Sequence, residues 1–143
     1  MNLKWLIRFL KRPIYQQWLI LRISASIICV RVMLRFVPFK RLLGWMQRSS
    51  PLKKMSFDAD NAQYLSHNIE VIGNFLIPKG LCLTKALVGR WFLNQIGYET
   101  TMHFGVRYGN NQQLEAHAWL EHDGEIVIGN LVDLESYKTI HVL

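Results

Sequence analysis

The hydrophobic pattern of this chain changes its period near residue 100, and that change constrains the fold more than any other feature. Up to residue 96, apolar side chains recur at the spacing of packed helices, whereas residues 100–108 alternate apolar and polar side chains as a half-buried strand does. Helical segments followed by consecutive antiparallel strands are typical of the α+β class. We therefore expect N-terminal helices packed on an antiparallel sheet.

Proline, glycine and turn residues mark the ends of these segments. Pro13 and Pro38 separate the first three helices, and Gly97 follows the last helix in the position of a left-handed cap. Asp-Gly at residues 123–124 is a strong signal for a two-residue hairpin turn. The predicted helices cover residues 3–12, 14–36, 39–48, 58–77 and 81–96, and the predicted strands cover residues 100–108, 114–121 and 125–130.

Charge divides the chain into two parts. Residues 1–57 contain 12 Lys and Arg and no Asp or Glu, whereas residues 58–143 contain 5 bases and 10 acids. We interpret residues 1–57 as a basic helical region that acts as a cap or docking surface, and residues 58–143 as the core. Arg22 and Arg31 interrupt the apolar stretch of the second helix, so membrane contact is expected to be peripheral at most.

Cys82 is the candidate nucleophile of the two cysteines. It follows a predicted turn at residues 78–80 and lies at the start of a helix, where unpaired N–H groups and the helix dipole stabilise a thiolate. Ala86 and Gly89 lie on the same helix face and leave room for another element to approach the sulfur. The alternative is a buried structural cysteine, which is common. Cys29, inside an apolar helix, is expected to be inert.

His117 is the candidate general base, although a lone histidine on a strand is more often structural. A two-residue turn at residues 123–124 pairs His117 with Asn130 on one face of the hairpin. Asn130 would then hold one imidazole nitrogen while the other faces Cys82, as in Cys-His-Asn triads. Asp133 is a rival third member, but it has the opposite parity unless a bulge intervenes, and Asp123 is better explained by the turn itself.

No cofactor and no nucleic-acid partner is expected. The remaining histidines do not fall at metal-ligand spacing with the cysteines, and there is no glycine-rich phosphate loop. The basic region lacks a recognisable module for reading nucleic acid. Two cysteines form no disulfide framework, and no cleavable signal peptide is evident, so we expect a cytoplasmic protein.

Three motifs carry a resemblance to a known family. They are Gly-Leu-Cys-Leu-Thr-Lys-Ala-Leu at residues 80–87, Phe-Gly-Val-Arg at residues 104–107, and Ala-His-Ala-Trp-Leu-Glu at residues 116–121 with the Asp-Gly turn after it. They resemble the leader peptidases of lasso-peptide biosynthesis, the B-type maturation proteins. The resemblance is specific over residues 78–130, and Pro-Phe-Lys-Arg at residues 38–41 also looks like this family.

This resemblance implies a papain-like or transglutaminase-like core, in which a helix with an N-terminal cysteine packs on an antiparallel sheet. It also implies a Cys-His-Asp triad that hydrolyses the bond between the leader and the core of a ribosomally made precursor peptide. Cys82 and His117 match the first two members, whereas Asn130 stands where the family has aspartate.

The resemblance further implies partners and leaves two other functions open. Some relatives carry a leader-recognition domain with a β-hairpin, a pattern that residues 1–57 lack. The expectation is therefore the split form, which relies on a separate leader-binding protein and acts before an ATP-dependent cyclase. The alternatives are acyl transfer on the same scaffold, as in transglutaminases, and a non-catalytic helical adaptor that binds through its basic half.

Overall fold

The structure is a computed structural model that describes residues 13–48, 59–76, 82–109 and 112–143. In these ranges four helices precede four strands, which confirms the predicted α+β class. A short 3-10 turn at Leu134–Ser136 precedes the last strand. The helices are α1 (Ile14–Phe36), α2 (Phe39–Arg48), α3 (Ala59–Leu76) and α4 (Cys82–Gln95), and the strands are β1 (Thr101–Tyr108), β2 (Leu114–His122), β3 (Glu125–Ile128) and β4 (Lys138–Val142).

Helices α1, α3 and α4 pack together through faces rich in branched aliphatic side chains. Ile27 of α1, Ile69 of α3 and Leu87 of α4 are fully buried in one cluster. The guanidinium of Arg22 lies 5.6 Å from the ring centroid of Phe92, so this arginine of α1 packs over an aromatic ring of α4. The basic helix α1 thus shares its core with the helices of residues 58–143.

The four strands form one antiparallel sheet in the order β3-β2-β1-β4. Met102, Leu120 and Ile128 are buried and belong to the cluster that also contains the helical core. Helix α4 approaches the sheet closely at Gly89. A Cβ added there would lie 3.1 Å from Cδ1 of Leu120 and would collide with Cδ1 of Ile128. This glycine therefore sets the distance between α4 and the sheet.

The predicted boundaries agree with the structure to within two residues for every described element that the sequence predicted. Val37, which precedes Pro38, is extended and ends α1 as expected for a residue before proline. The predicted helix at residues 3–12 and the turn at residues 78–80 lie outside the described residues. The proposed domain boundary after residue 57 also lies there, and it stays a prediction.

The register of the second hairpin differs from the prediction. His122 pairs with Glu125 and Glu121 pairs with Ile126 as expected, but the register then shifts, so that Leu120 faces Ile128 and not Val127. The cause is a β-bulge, in which one extra residue of β3 has no partner on β2. The predicted pairing of His117 with Asn130 is therefore wrong, and β3 ends at Ile128.

Strand β4 was not predicted from the sequence. It pairs with β1, with a register shift between Phe104 and Gly105. It has only five residues, and all of them are exposed, so no buried apolar face marks it as a strand. Backbone pairing places it at the sheet edge, and this brings the segment before it back towards β2.

Candidate active site

Cys82 is the first residue of α4 and is half-buried. The backbone N–H groups of the first turn have no partner within the helix, and here the N–H of Leu83 points to the sulfur. The N–H of Ala118 on β2 also interacts with it. The predicted close approach at Cys82 is thus present, because small residues on α4 allow β2 to come near the thiol.

His117 lies on β2 and is hydrogen-bonded to the thiol of Cys82. Its Nε2 lies 2.7 Å from the carbonyl oxygen of Gly129, and a carbonyl can only accept, so Nε2 carries the proton. This assignment leaves Nδ1 as the nitrogen that faces the sulfur. The imidazole is therefore held in the tautomer that a general base for Cys82 needs.

The pKa values of the two groups shift towards a thiolate–imidazolium pair. Burial raises the pKa of Cys82, but the hydrogen bonds from His117 and from backbone N–H groups outweigh it, and the net pKa is lowered. Burial lowers the pKa of His117, but the hydrogen bonds to Cys82 and to the Gly129 carbonyl outweigh it, and the net pKa is raised. A thiolate is the nucleophilic form of cysteine, so these shifts favour the form of Cys82 that a nucleophile requires.

The acceptor for His117 is a backbone group, which sequence reasoning missed. Gly129 has a φ of 85°, in the left-handed region that favours glycine. Asn130, the predicted third member, is exposed, and its predicted cross-strand position is not the one observed. Its contribution to catalysis stays a prediction. Every residue has a backbone carbonyl, so residue types in the sequence do not identify this acceptor. The only signal for it was a glycine directly after the residues that form β3.

Asp133 and Asp123, the other two candidates, lie in different surroundings. Asp133 forms an ion pair with Nη1 of Arg107, and the hydrogen bond from that guanidinium lowers the pKa of its carboxyl. The Nε of Arg107 lies 2.7 Å from Glu115, so this cation is shared between two carboxylates. Asp123 has a φ of 48° and forms the hairpin turn, as its sequence position predicted.

Two aromatic rings flank the imidazole. The ring centroid of His117 is 6.1 Å from that of Trp119 and 5.5 Å from that of Tyr137. Tyr137 comes from the segment between the 3-10 turn and β4, and Arg107 lies 4.6 Å above its ring. Sequence reasoning did not include Tyr137, because its proximity depends on the unpredicted strand β4.

The other cysteine and the remaining histidines and acids that the structure describes form no second candidate site. Within the described ranges, no group of three or more His, Cys, Asp and Glu side chains could hold a metal ion. Cys29 is exposed on α1, with its sulfur 3.7 Å from that of Met33. None of the helices that the structure describes is long and apolar enough to cross a membrane.

The fold and the site together define a class of protein. A cysteine at the start of a helix and hydrogen-bonded to a histidine is an arrangement suited to nucleophilic attack on an acyl group. The family model of the transglutaminase-like superfamily matches residues 27–142, and the chain belongs to this superfamily. Members of this superfamily are usually enzymes, either cysteine proteases or acyl transferases. No curated protein and no solved structure matched the chain.

Proposed function

We propose that this chain is a cysteine peptidase that removes the leader from a ribosomally synthesised lasso-peptide precursor. The observation that carries the proposal is the hydrogen bond between Cys82 and His117, with the second imidazole nitrogen held by Gly129. The motifs around residues 80–87 and 116–124 support the substrate class, because they resemble the leader peptidases of this pathway. Cytoplasmic location is part of the proposal.

The proposed reaction has two steps. The Cys82 thiolate attacks the carbonyl carbon that joins leader to core, and protonated His117 gives its proton to the leaving amine of the core. The leader is then held as a thioester, which water hydrolyses with His117 as the base. The backbone N–H of Cys82, at the start of α4, is our candidate donor to the oxyanion.

Acyl transfer is the second candidate. The superfamily includes acyl transferases, and the same thioester forms in both reactions. The two functions differ only in whether water or an amine attacks the thioester. Nothing in the geometry of Cys82 and His117 selects water, so the products must be identified.

A separate leader-binding protein is the proposed partner, and the ATP-dependent cyclase is the proposed next enzyme. An exposed apolar face of α1 supports the first of these. Trp18, Leu21, Ile28 and Phe36 are all at least half exposed and recur at helical spacing along that face. Exposed apolar stripes of this length mark protein interaction sites, because water disfavours them.

The experiment that tests the proposal is product analysis by mass spectrometry. The protein is incubated with a candidate precursor and a candidate leader-binding protein, with and without hydroxylamine. We expect a free leader that ends in a carboxylate, and none with Cys82→Ala, while Cys29→Ala retains cleavage. A leader hydroxamate would identify the thioester that both functions share, and a leader joined to another amine in the absence of hydroxylamine would favour acyl transfer. Cleavage by Cys82→Ala would contradict both functions.

A further inference from the structure

Glu70 on α3 connects two groups behind the candidate active site. Its Oε1 accepts a hydrogen bond from the backbone N–H of Gly129 at 2.6 Å, and its Oε2 lies 2.5 Å from Nζ of Lys85. The side chains of Glu70 and Lys85 are 27% and 12% exposed, so water screens this ion pair only partly. No motif in the sequence assigns a function to Glu70.

A glycine on α3 leaves space for the side chain of Lys85 in this ion pair. A Cβ added to Gly73 would lie 2.7 Å from Cδ of Lys85, so glycine at this position lets the lysine stem cross α3 without displacement. The ammonium of Lys85 also lies 3.0 Å from Oδ1 of Asn74. Lys85 is one helical turn after Cys82, and the ion pair therefore fixes α3 to the nucleophile's own helix.

Gly129 connects Glu70 to the imidazole. Its N–H points to the carboxylate of Glu70, while its carbonyl oxygen accepts the hydrogen bond from Nε2 of His117. Gly129 follows the last residue of β3 and has no ladder partner of its own to fix its backbone. The hydrogen bond from its N–H to Glu70 restricts its rotation, and this keeps the carbonyl directed at His117.

The same carboxylate also acts through charge. Burial lowers the pKa of His117, and the positive charge of Lys85 lowers it further. The negative charge of Glu70, paired with Lys85, reduces the amount by which that lysine lowers the pKa of His117. The other titratable groups near the ring are Cys82 on α4, and Asp133 and Tyr137 in the segment after β3.

We propose that Glu70 is a positioning residue for His117, because its carboxylate fixes the backbone of Gly129 and neutralises Lys85. This inference rests on the proposed Cys82–His117 chemistry and adds a side chain from α3 to it. Glu70 touches neither the sulfur nor the imidazole, so its effect is expected on the reactivity of the pair and on its pH range.

The test measures alkylation of Cys82 by iodoacetamide as a function of pH, in a Cys29→Ser background so that one thiol reacts. We expect Glu70→Ala to slow alkylation at neutral pH by about tenfold, the lower end of the loss seen when a group that orients a metal-binding histidine is removed. Asn74→Ala is the matched control, because it also removes a contact with Lys85 but leaves Gly129 untouched, and it should react like the parent.

Glu70→Gln separates the hydrogen bond from the charge. It keeps an oxygen for the N–H of Gly129 but leaves Lys85 without a counter-charge. The unpaired charge of Lys85 should lower the pKa of His117, so that the imidazolium that stabilises the thiolate is lost at lower pH. The pH profile of alkylation should therefore shift relative to the parent, and the added substitution Lys85→Met should shift it back. Circular dichroism and the melting temperature verify that each variant is folded.

The outcomes distinguish this inference from the proposed function. If the parent thiol reacts no faster than a free thiol, the Cys82–His117 pairing itself fails. If the parent is fast and folded Glu70→Ala is equally fast, the inference about Glu70 is overturned. If Glu70→Ala does not fold, a Glu70→Gln profile identical to the parent profile overturns it.

Discussion

Gly129 lies against Ala118 so closely that a Cβ added to the glycine would be 2.8 Å from the Ala118 carbonyl oxygen. Together with its φ of 85°, this contact excludes any side chain at position 129. The constraint matters because the Gly129 carbonyl is the acceptor that orients His117. The local fold of β2 and the orientation of the base thus depend on one glycine.

Gly129→Ala should therefore damage both stability and turnover. We expect a loss of about 1–3 kcal/mol in the free energy of unfolding, the usual cost of a strained backbone, and a larger loss of turnover than stability alone explains. Urea denaturation and product analysis measure the two effects. Gly124→Ala is the control, because Gly124 has the same φ of 85° but nothing within 4 Å of an added Cβ. Equal turnover in the two variants would contradict this account.

Three substitutions test which residue is the third member of the catalytic group, beside Cys82 and His117. Asn130→Ala should lower turnover by less than His117→Ala, for which a loss of about 10²–10⁴-fold is typical, because Gly129 already holds Nε2. Asn130→Asp should retain or raise turnover, since it restores the residue found in the resembling family. Asp133→Ala should do little harm, because its main partner Arg107 keeps Glu115. Normal turnover in Asn130→Ala with an inactive Asp133→Ala would identify Asp133 as the third member.

The pH dependence of kcat/KM should be bell-shaped. Below the lowered pKa of Cys82 the thiol is protonated and unreactive, so the rate should rise as pH passes through that value. Above the raised pKa of His117 the imidazolium loses the proton that the leaving amine needs, so the rate should fall again. Because Cys82 and His117 titrate together, the two apparent pKa values of this profile belong to the pair and not to either residue alone. A single rise near the pKa of about 8.5 of a free thiol, with no descending limb, would be inconsistent with the pair.

The sequence predicted the helices that the structure describes, the strands of the first hairpin and the proximity of Cys82 and His117, because these depend on local periodicity and on helix-start chemistry. It could not predict the bulge in β3, since one unpaired residue leaves the apolar pattern unchanged. It also missed β4, whose residues are all exposed. Both failures affect the surroundings of His117, where Gly129 and Tyr137 are placed by backbone geometry and long-range pairing.

The outer face of α1 should bind the leader-binding protein. Trp18→Glu should reduce the stimulation of cleavage by that protein, because a charge on an apolar docking surface opposes its burial. It should leave the alkylation rate of Cys82 unchanged. Ile140→Glu on β4 is a matched control, since Trp18 and Ile140 are 63% and 62% exposed. If the leader-binding protein stimulates cleavage by Trp18→Glu as much as cleavage by the parent, this part of α1 does not lie in the interface.

The two cysteines of this chain allow a direct test of whether Cys82 is an activated thiolate paired with His117. Iodoacetamide labelling followed by peptide mass spectrometry gives the rate at each cysteine in the same sample. We predict that Cys82 is labelled much faster than the exposed Cys29, with a midpoint below about 8.5, and that His117→Ala removes this advantage. Equal rates at both cysteines, or a Cys82 rate that does not change in folded His117→Ala, would contradict the account.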